Sequence, residues 1–295
     1  MKLSAYCMFC LVQRQEENIR HIRNENLKSS YMREVLRIIA NSPEEASAPI
    51  VLADISRLHL DYFGSSYRYD QLKEEFNRLM LQEEAWIAQN IKASEDPLLS
   101  AMKYARVGNY IDFGAMGSVD TDQLKSLLNT ALEEELSPME YKAFQEDLKR
   151  AKSLVYLTDN CGEIVLDKLL ILQLMELYPS LDITVIVRGN PVVNDATLED
   201  ARMIGLTSIT KVVGNGTRIA GTHLCEVSEE AKGFLDSADI IISKGQGNFE
   251  TLHGCNRNIY YMFLCKCDWF VNRFGLKRYQ GVFLNERNIT FPKGS

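Results

Sequence analysis

The chain reads as an α/β protein: a Rossmann-like three-layer domain with a mostly parallel sheet, plus an all-helical N-terminal region. Three observations predict this. From about Ser153 onward, short β-rich runs alternate with helical stretches, the pattern of right-handed βαβ units. Those runs are continuously apolar, as parallel strands buried on both faces are. The first 150 residues read almost entirely as helix, with apolar residues at helical spacing and no proline before Pro43.

The elements follow in order. A helix over 27–40 carries Tyr31, Val35, Ile38 and Ile39 on one face. A helix over 49–63 has Pro49 in its first turn and Gly64 just past its end. Longer and shorter helices are predicted over 70–91 and 97–107. Ser137-Pro138-Met139-Glu140 is a capping-box start. Strands are then predicted over 153–158, 183–187, 209–213 and 239–243, with helices over 162–178, 197–204 and 226–235 between them. Runs at 259–264 and 281–284 complete the sheet. The expected division is a helical cap over 1–118 and an α/β domain over 119–295.

Composition narrows the function. The 295 residues are 46% hydrophobic and 25% charged, which excludes a disordered or collagen-like chain. Forty acidic against 33 basic residues leave a net charge of −7, which argues against nucleic acid or an anionic membrane as partner. No apolar run approaches the roughly 18 residues that span a bilayer. The N-terminus lacks a secretory cleavage site, and an odd count of seven cysteines suits reduced thiols. The expected location is cytoplasmic.

In open α/β sheets ligands bind beyond the carboxyl ends of the strands. The first strand is followed there by Asp159-Asn160-Cys161-Gly162-Glu163, the second by Arg188 and then Asn194-Asp195, the fourth by Lys244-Gly245-Gln246-Gly247-Asn248. Asp159 and Asn160, with Asp195 from the next crossover, are oxygen donors suited to a hard divalent cation. The same pair would also serve as an ordinary helix cap. Gly162 opens a helix whose N-terminus favours a phosphate. Lys244 can reach a phosphate as a point charge, and Arg188 can hold one by its fork; a strand-to-helix turn and a surface salt bridge are the plainer readings. Asn109 and Asp112 lie in a glycine-bracketed loop that either reaches the sheet edge or simply turns between helices. Cys7-x-x-Cys10 lacks a matching second pair for zinc, and structural thiols are its commoner outcome. Neither a Gly-x-Gly-x-x-Gly fingerprint nor a Walker loop is present.

As a set, these segments resemble the damage-control phosphatases, which share an ARMT-like metal-binding domain long catalogued as a domain of unknown function. Cys7-x-x-Cys10, Gly108-Asn109-x-x-Asp112, Asp159-Asn160-x-Gly162-Glu163, Asn194-Asp195 and Lys244-Gly245-x-Gly247-Asn248 occur in the family's order across nearly the whole chain. The N-terminal cysteine pair suggests the stand-alone microbial subgroup. The Arg-Lys-Leu motif of the eukaryotic subgroup is absent, with Phe249-Glu250-Thr251-Leu252 in its place, so that subgroup's substrate preference does not carry over.

The resemblance implies metal-dependent hydrolysis of phosphate monoesters of small metabolites, sugar phosphates or damaged phosphometabolites. It implies Asp159, Asn160 and Asp195 as ligands of Mn²⁺, Mg²⁺, Co²⁺ or Ni²⁺, and Lys244 as the phosphate-binding lysine. Glu163 is the nearest group to orient a water; Asn109, Asp112, Gly162, Arg188, Gly245 and Asn248 are expected around the substrate. The nucleophile is either a water at the metal or Asp159, and water is favoured because an Asp committed to the metal is less free to attack. The rivals are a non-catalytic sensor of metal and phosphometabolite, and a methyltransferase. The second lacks the glycine-rich loop an S-adenosyl donor needs after the first strand.

Overall fold

The computed structural model describes residues 1–64, 69–108, 126, 128, 129 and 132–289. Helices α1 (Ala5–Ile19), α2 (Glu25–Asn41), α3 (Ala48–Phe63), α4 (Tyr69–Ala93) and α5 (Pro97–Val107) come first. Helix α6 (Pro138–Leu148) leads into β1 (Ser153–Leu157). The alternating part comprises α7 (Glu163–Leu177), β2 (Asp182–Val187), α8 (Leu198–Met203), β3 (Lys211–Gly214) and α9 (Glu229–Ser237). It continues through β4 (Ile240–Lys244), α10 (Gln246–Leu252), β5 (Ile259–Leu264), α11 (Asp268–Phe274) and β6 (Gly281–Asn285).

Local signals set the helix ends. Gly64 closes α3 in the left-handed region at φ 63°, which costs a glycine nothing. Ser137 caps α6 by accepting from the Glu140 N–H at 3.4 Å. The reciprocal half of that capping box is not used: the Glu140 carboxylate accepts instead from the Asn285 N–H and from Asn288 Nδ2, at 3.0 and 2.7 Å. Helix α2 starts before the predicted residue 27 because Asn24 caps it through the Leu27 N–H. Strand β3 starts later than predicted because residues 206–208 form a 3₁₀ turn.

The sheet runs β3-β2-β1-β4-β5-β6, with β6 alone antiparallel to its neighbour. The strand order reverses between the parallel neighbours β1 and β4, and in doubly wound sheets the crevice at such a switch point is where ligands bind. Side chains alternate as strand geometry demands. Leu154, Tyr156, Ile240 and Ile242 face one core with α4 to α7, and Val155, Leu157 and Ile241 face another with α9 to α11. Helix α7 is buried almost all round, because α4 and α5 cover the side that the sheet does not. Helices α1 to α3 bury a separate cluster around Tyr31, Val35, Val51 and Ile55. They meet the rest chiefly where α3 packs on α10. Among the described residues no helix is long and apolar enough to cross a membrane.

Candidate functional site

Asp159 stands just beyond β1, at the edge where the strand order reverses. Its position is fixed by backbone bonds to the second crossover. The Asp159 carbonyl accepts from the Ala196 N–H at 2.7 Å, and the Cys161 N–H donates to the Asn194 carbonyl at 2.9 Å. Asn160 and Asp195 pair as an isolated antiparallel bridge. The three expected metal ligands are thus brought together by a short strap of extended chain, although 34 residues separate Asp195 from Cys161 in sequence.

Gly245 closes the other wall. It sits at φ +79°, and a Cβ there would lie 2.2 Å from the Asp159 carboxyl carbon. Only glycine lets the β4 turn approach the carboxylate so closely. Gly162 and Gly245 are both expected around the substrate, where their N–H groups would be natural donors to a phosphate. In the structure those two N–H groups are already spent, Gly162 donating to Asn77 Oδ1 at 2.7 Å and Gly245 to the Met262 carbonyl at 3.1 Å. Their place here is to allow close approach.

Arg188 is fully buried rather than a surface residue. Its Nε donates to Asp195 Oδ2 at 2.5 Å, and its Nη1 donates to Asn248 Oδ1 at 2.8 Å and to Thr222 Oγ1 at 3.4 Å. Nη2 lies 3.6 Å from Asp159 Oδ1 and, although buried, has no hydrogen-bond partner among the described residues. Asn248, expected to face substrate, spends its polar atoms within the protein: Oδ1 accepts from Arg188 and Thr222, and Nδ2 donates to the Thr158 and Lys244 carbonyls. Its visible role is to aim Arg188 and tie β1 to β4.

Lys244 points beneath the site, toward α7. Its Nζ donates to Glu163 Oε1 at 2.7 Å, Asp167 Oδ1 at 2.5 Å and the Ala105 carbonyl at 2.7 Å, so all three protons are engaged. The sequence reading aimed it at a phosphate. Tyr156 also donates to Asp167 Oδ1, at 2.6 Å. Glu163 in turn accepts from Asn160 Nδ2 at 3.1 Å, and Asp159 accepts from the same Nδ2 at 2.7 Å. That orientation leaves the amide oxygen of Asn160 with no hydrogen bond from a described residue.

Electrostatics follow from burial. Asp159 is pushed up to about 7 by burial and by the neighbouring Asp195 and Glu163 carboxylates, against the pull of Arg188 and Lys266. Burial also raises Asp195, more than its Arg188 ion pair lowers it. Asp167 is raised to about 6, again chiefly by burial. Burial alone would depress Lys244, but Asp167 and Glu163 hold it above its ordinary value. Four carboxylates therefore converge on two fully buried cations. The side chain of Asp159 keeps 14% of its surface exposed, which makes it the mouth of the site.

Several of these residues carried no signal in the motifs. Asn77 of α4 ties α4 to the loops, accepting from Gly162 and donating to Asp200 Oδ1 at 2.9 Å. Lys73 pairs with the same Asp200 at 3.0 Å. Asp167 was legible in principle: an acid four residues after Glu163 in a largely apolar helix shares its face. Asn109 and Asp112 lie outside the described residues. Cys161 is buried, and its thiol is pushed well up by that burial. Cys7 and Cys10 are free thiols on α1, and among the described residues no group of three or more His, Cys, Asp or Glu side chains is arranged to hold a metal.

Known proteins align with this chain over nearly its whole length. Residues 3–282 match the model of the damage-control phosphatase ARMT1-like domain. A damage-control phosphatase of Archaeoglobus fulgidus is 31% identical over 91% of this chain and 93% of its own. One of Pyrococcus horikoshii is 28% identical over 90% and 92%. An uncharacterised protein of Methanocaldococcus jannaschii is 29% identical over 96% and 95%. The crystal structure of a DUF89 family protein from Pyrococcus horikoshii superposes with a TM-score of 0.85 at 27% identity, covering 97% of this chain and 99% of that one. On the family match and the shared fold together, the chain belongs to the ARMT1-like damage-control phosphatase family.

Proposed function

We propose that this chain is a metal-dependent phosphatase acting on phosphate monoesters of small metabolites, sugar phosphates or damaged phosphometabolites among them. One observation carries the reading: the carboxylates of Asp159, Asp195, Glu163 and Asp167 crowd around two buried cations, Arg188 and Lys244, so that negative charge is in excess and the Asp159 carboxyl is pushed up. A divalent cation offsets that excess. Asp159, Asp195 and the unengaged amide oxygen of Asn160 offer it hard oxygen donors, as Mg²⁺, Mn²⁺, Co²⁺ or Ni²⁺ accept. When bound, such an ion draws charge from the phosphate as the ester bond breaks.

The chain's own residues supply the rest. Arg188 Nη2 donates to a phosphate oxygen, a buried donor given the partner it lacks. Glu163 and Asp159 hold the Asn160 amide with its oxygen toward the ligand. Lys244 keeps Glu163 in place and adds a positive field beneath the phosphate. Asn248 and Thr222 fix the guanidinium plane. Of the helical region, α1 and α3 wall a pocket whose other side is formed by the loops after β2 and β3. The names of the Archaeoglobus and Pyrococcus relatives support the choice of reaction. Seven free thiols support a reducing compartment such as the cytoplasm.

Phosphate release from p-nitrophenyl phosphate tests the reading. Metal-stripped protein is expected to be inactive, to recover with one or more of the four ions, and to stay inactive as Asp159→Ala. Tight metal binding with no turnover under any ion would replace the phosphatase with a sensor.

A further inference from the structure

A cavity of about 200 Å³ opens between the N-terminal helices and the sheet edge. Its walls come from α1, α3 and the loops that follow β2 and β3. Those two loops also build the site. Val193, in the wall, immediately precedes Asn194-Asp195, and the Asp195 N–H donates to the Val192 carbonyl at 3.0 Å. The loop carrying Arg218 and Ile219 runs on to Thr222, which braces Arg188. Val193 sits at φ 45°, a left-handed conformation that a β-branched residue adopts only under constraint. Strain of that kind collects at ligand sites.

The lining has two characters. Val193, Ile219 and neighbouring apolar side chains form a hydrophobic surface, and Arg14, Arg57 and Arg218 stand at the rim, all exposed. None of the three arginines makes an ion pair with a described residue. Asp54 and Glu226 face the same space, so the rim carries a surplus of positive charge in a protein whose net charge is −7. Unpaired guanidinium forks on separate elements suit carboxylate or phosphate oxygens. The volume is below the roughly 300–1,000 Å³ of pockets that take drug-sized ligands.

We propose that this cavity receives the leaving alcohol of the substrate and selects one bearing a second anionic group. The preferred substrate class is a small phosphate ester of an acid, a few carbons long. This inference rests on the phosphatase reading above and adds specificity to it. Arg57 and Arg218 grip the second anion, Arg14 strengthens the field, and the apolar wall takes the carbon chain.

A matched pair of esters tests it. 3-Phosphoglycerate and glycerol 3-phosphate share a skeleton and differ in a carboxylate against a hydroxymethyl group. With the metal-loaded protein, kcat/KM is expected to be about tenfold or more higher for 3-phosphoglycerate, chiefly through KM. Arg57→Ala and Arg218→Ala, both surface changes, are expected to remove that preference while glycerol 3-phosphate and p-nitrophenyl phosphate stay within about twofold. Calorimetric binding of 3-phosphoglycerate to the metal-free protein is expected to weaken in the same variants. Equal kcat/KM on the two esters, or arginine variants that slow both alike, would overturn the inference and leave the phosphatase standing. No hydrolysis of any of the three esters would overturn the phosphatase reading and this inference with it.

Discussion

Lys244 and Arg188 are both buried cations, each facing two carboxylates, yet their surroundings differ. The Lys244 cluster is sealed: Lys244, Glu163 and Asp167 have no exposed side-chain surface, and every proton of the ammonium is used. The Arg188 cluster is open at Asp159 and leaves one guanidinium nitrogen without a hydrogen bond to any described residue. A charge imbalance that is sealed can be met only by protein hydrogen bonds and shared protons. One with a mouth can be met by a ligand. On the proposed reading the first cluster supports the site from beneath, and the second is where the cation and the phosphate would bind.

The largest effect should come from breaking the sealed cluster. Lys244→Met strands two buried carboxylates and is expected to cost about 3–5 kcal/mol in chemical denaturation. A loss below about 1 kcal/mol would erase the distinction between the clusters. Asp159→Asn should act on the open cluster in the opposite sense. It relieves repulsion, so the metal-free protein is expected to be no less stable. Its metal affinity should fall by at least about 10–100-fold in titration calorimetry, the loss usual even for groups that only orient a ligand. Asn77→Ala probes the strut between α4 and the site. It leaves the Gly162 N–H buried and unsatisfied, at about 1–3 kcal/mol.

A further effect is in pH. Because the folded protein raises Asp159 from 3.8 to about 7, the fold binds that proton more tightly than the unfolded chain does. Its contribution is therefore unfavourable at neutral pH and fades on acidification. Relative to Asp159→Asn, the metal-free wild type should lose thermal stability as pH rises from about 4 through 7, and saturating metal should remove the difference. A difference that grows in the other direction would mean that Arg188 alone balances the site.

Much of the fold was readable along the chain. Continuous apolar runs marked β1, β2, β4 and β5, because strands covered on both faces need no polar side. Prolines and glycines marked the ends of α3, α5 and α6. The antiparallel β6 was found as a strand, but its direction was not predicted, since an edge strand carries little pattern of its own. Asp159, Asn160 and Asp195 were readable as a set because strand ends in this architecture converge on one edge. The contacts of Lys244 were not. Ile240, Ile242 and Lys244 share a face of β4, but that the face meets α7 depends on which helices cover the sheet.

Local sequence thus sets where each element starts, stops and buries itself, since propensity, capping and apolar spacing act over a few residues. Which charges meet follows from the assembled fold. Lys244 reaches Glu163 across 81 residues, Gly162 reaches Asn77 across 85, and Arg188 reaches Asn248 across 60. Ion pairs form between whatever groups the sheet order and the covering helices bring within about 3 Å, and burial then decides their protonation. The strand order that sets β1 beside β4, with α7 beneath them, separates the sealed lysine from the open arginine.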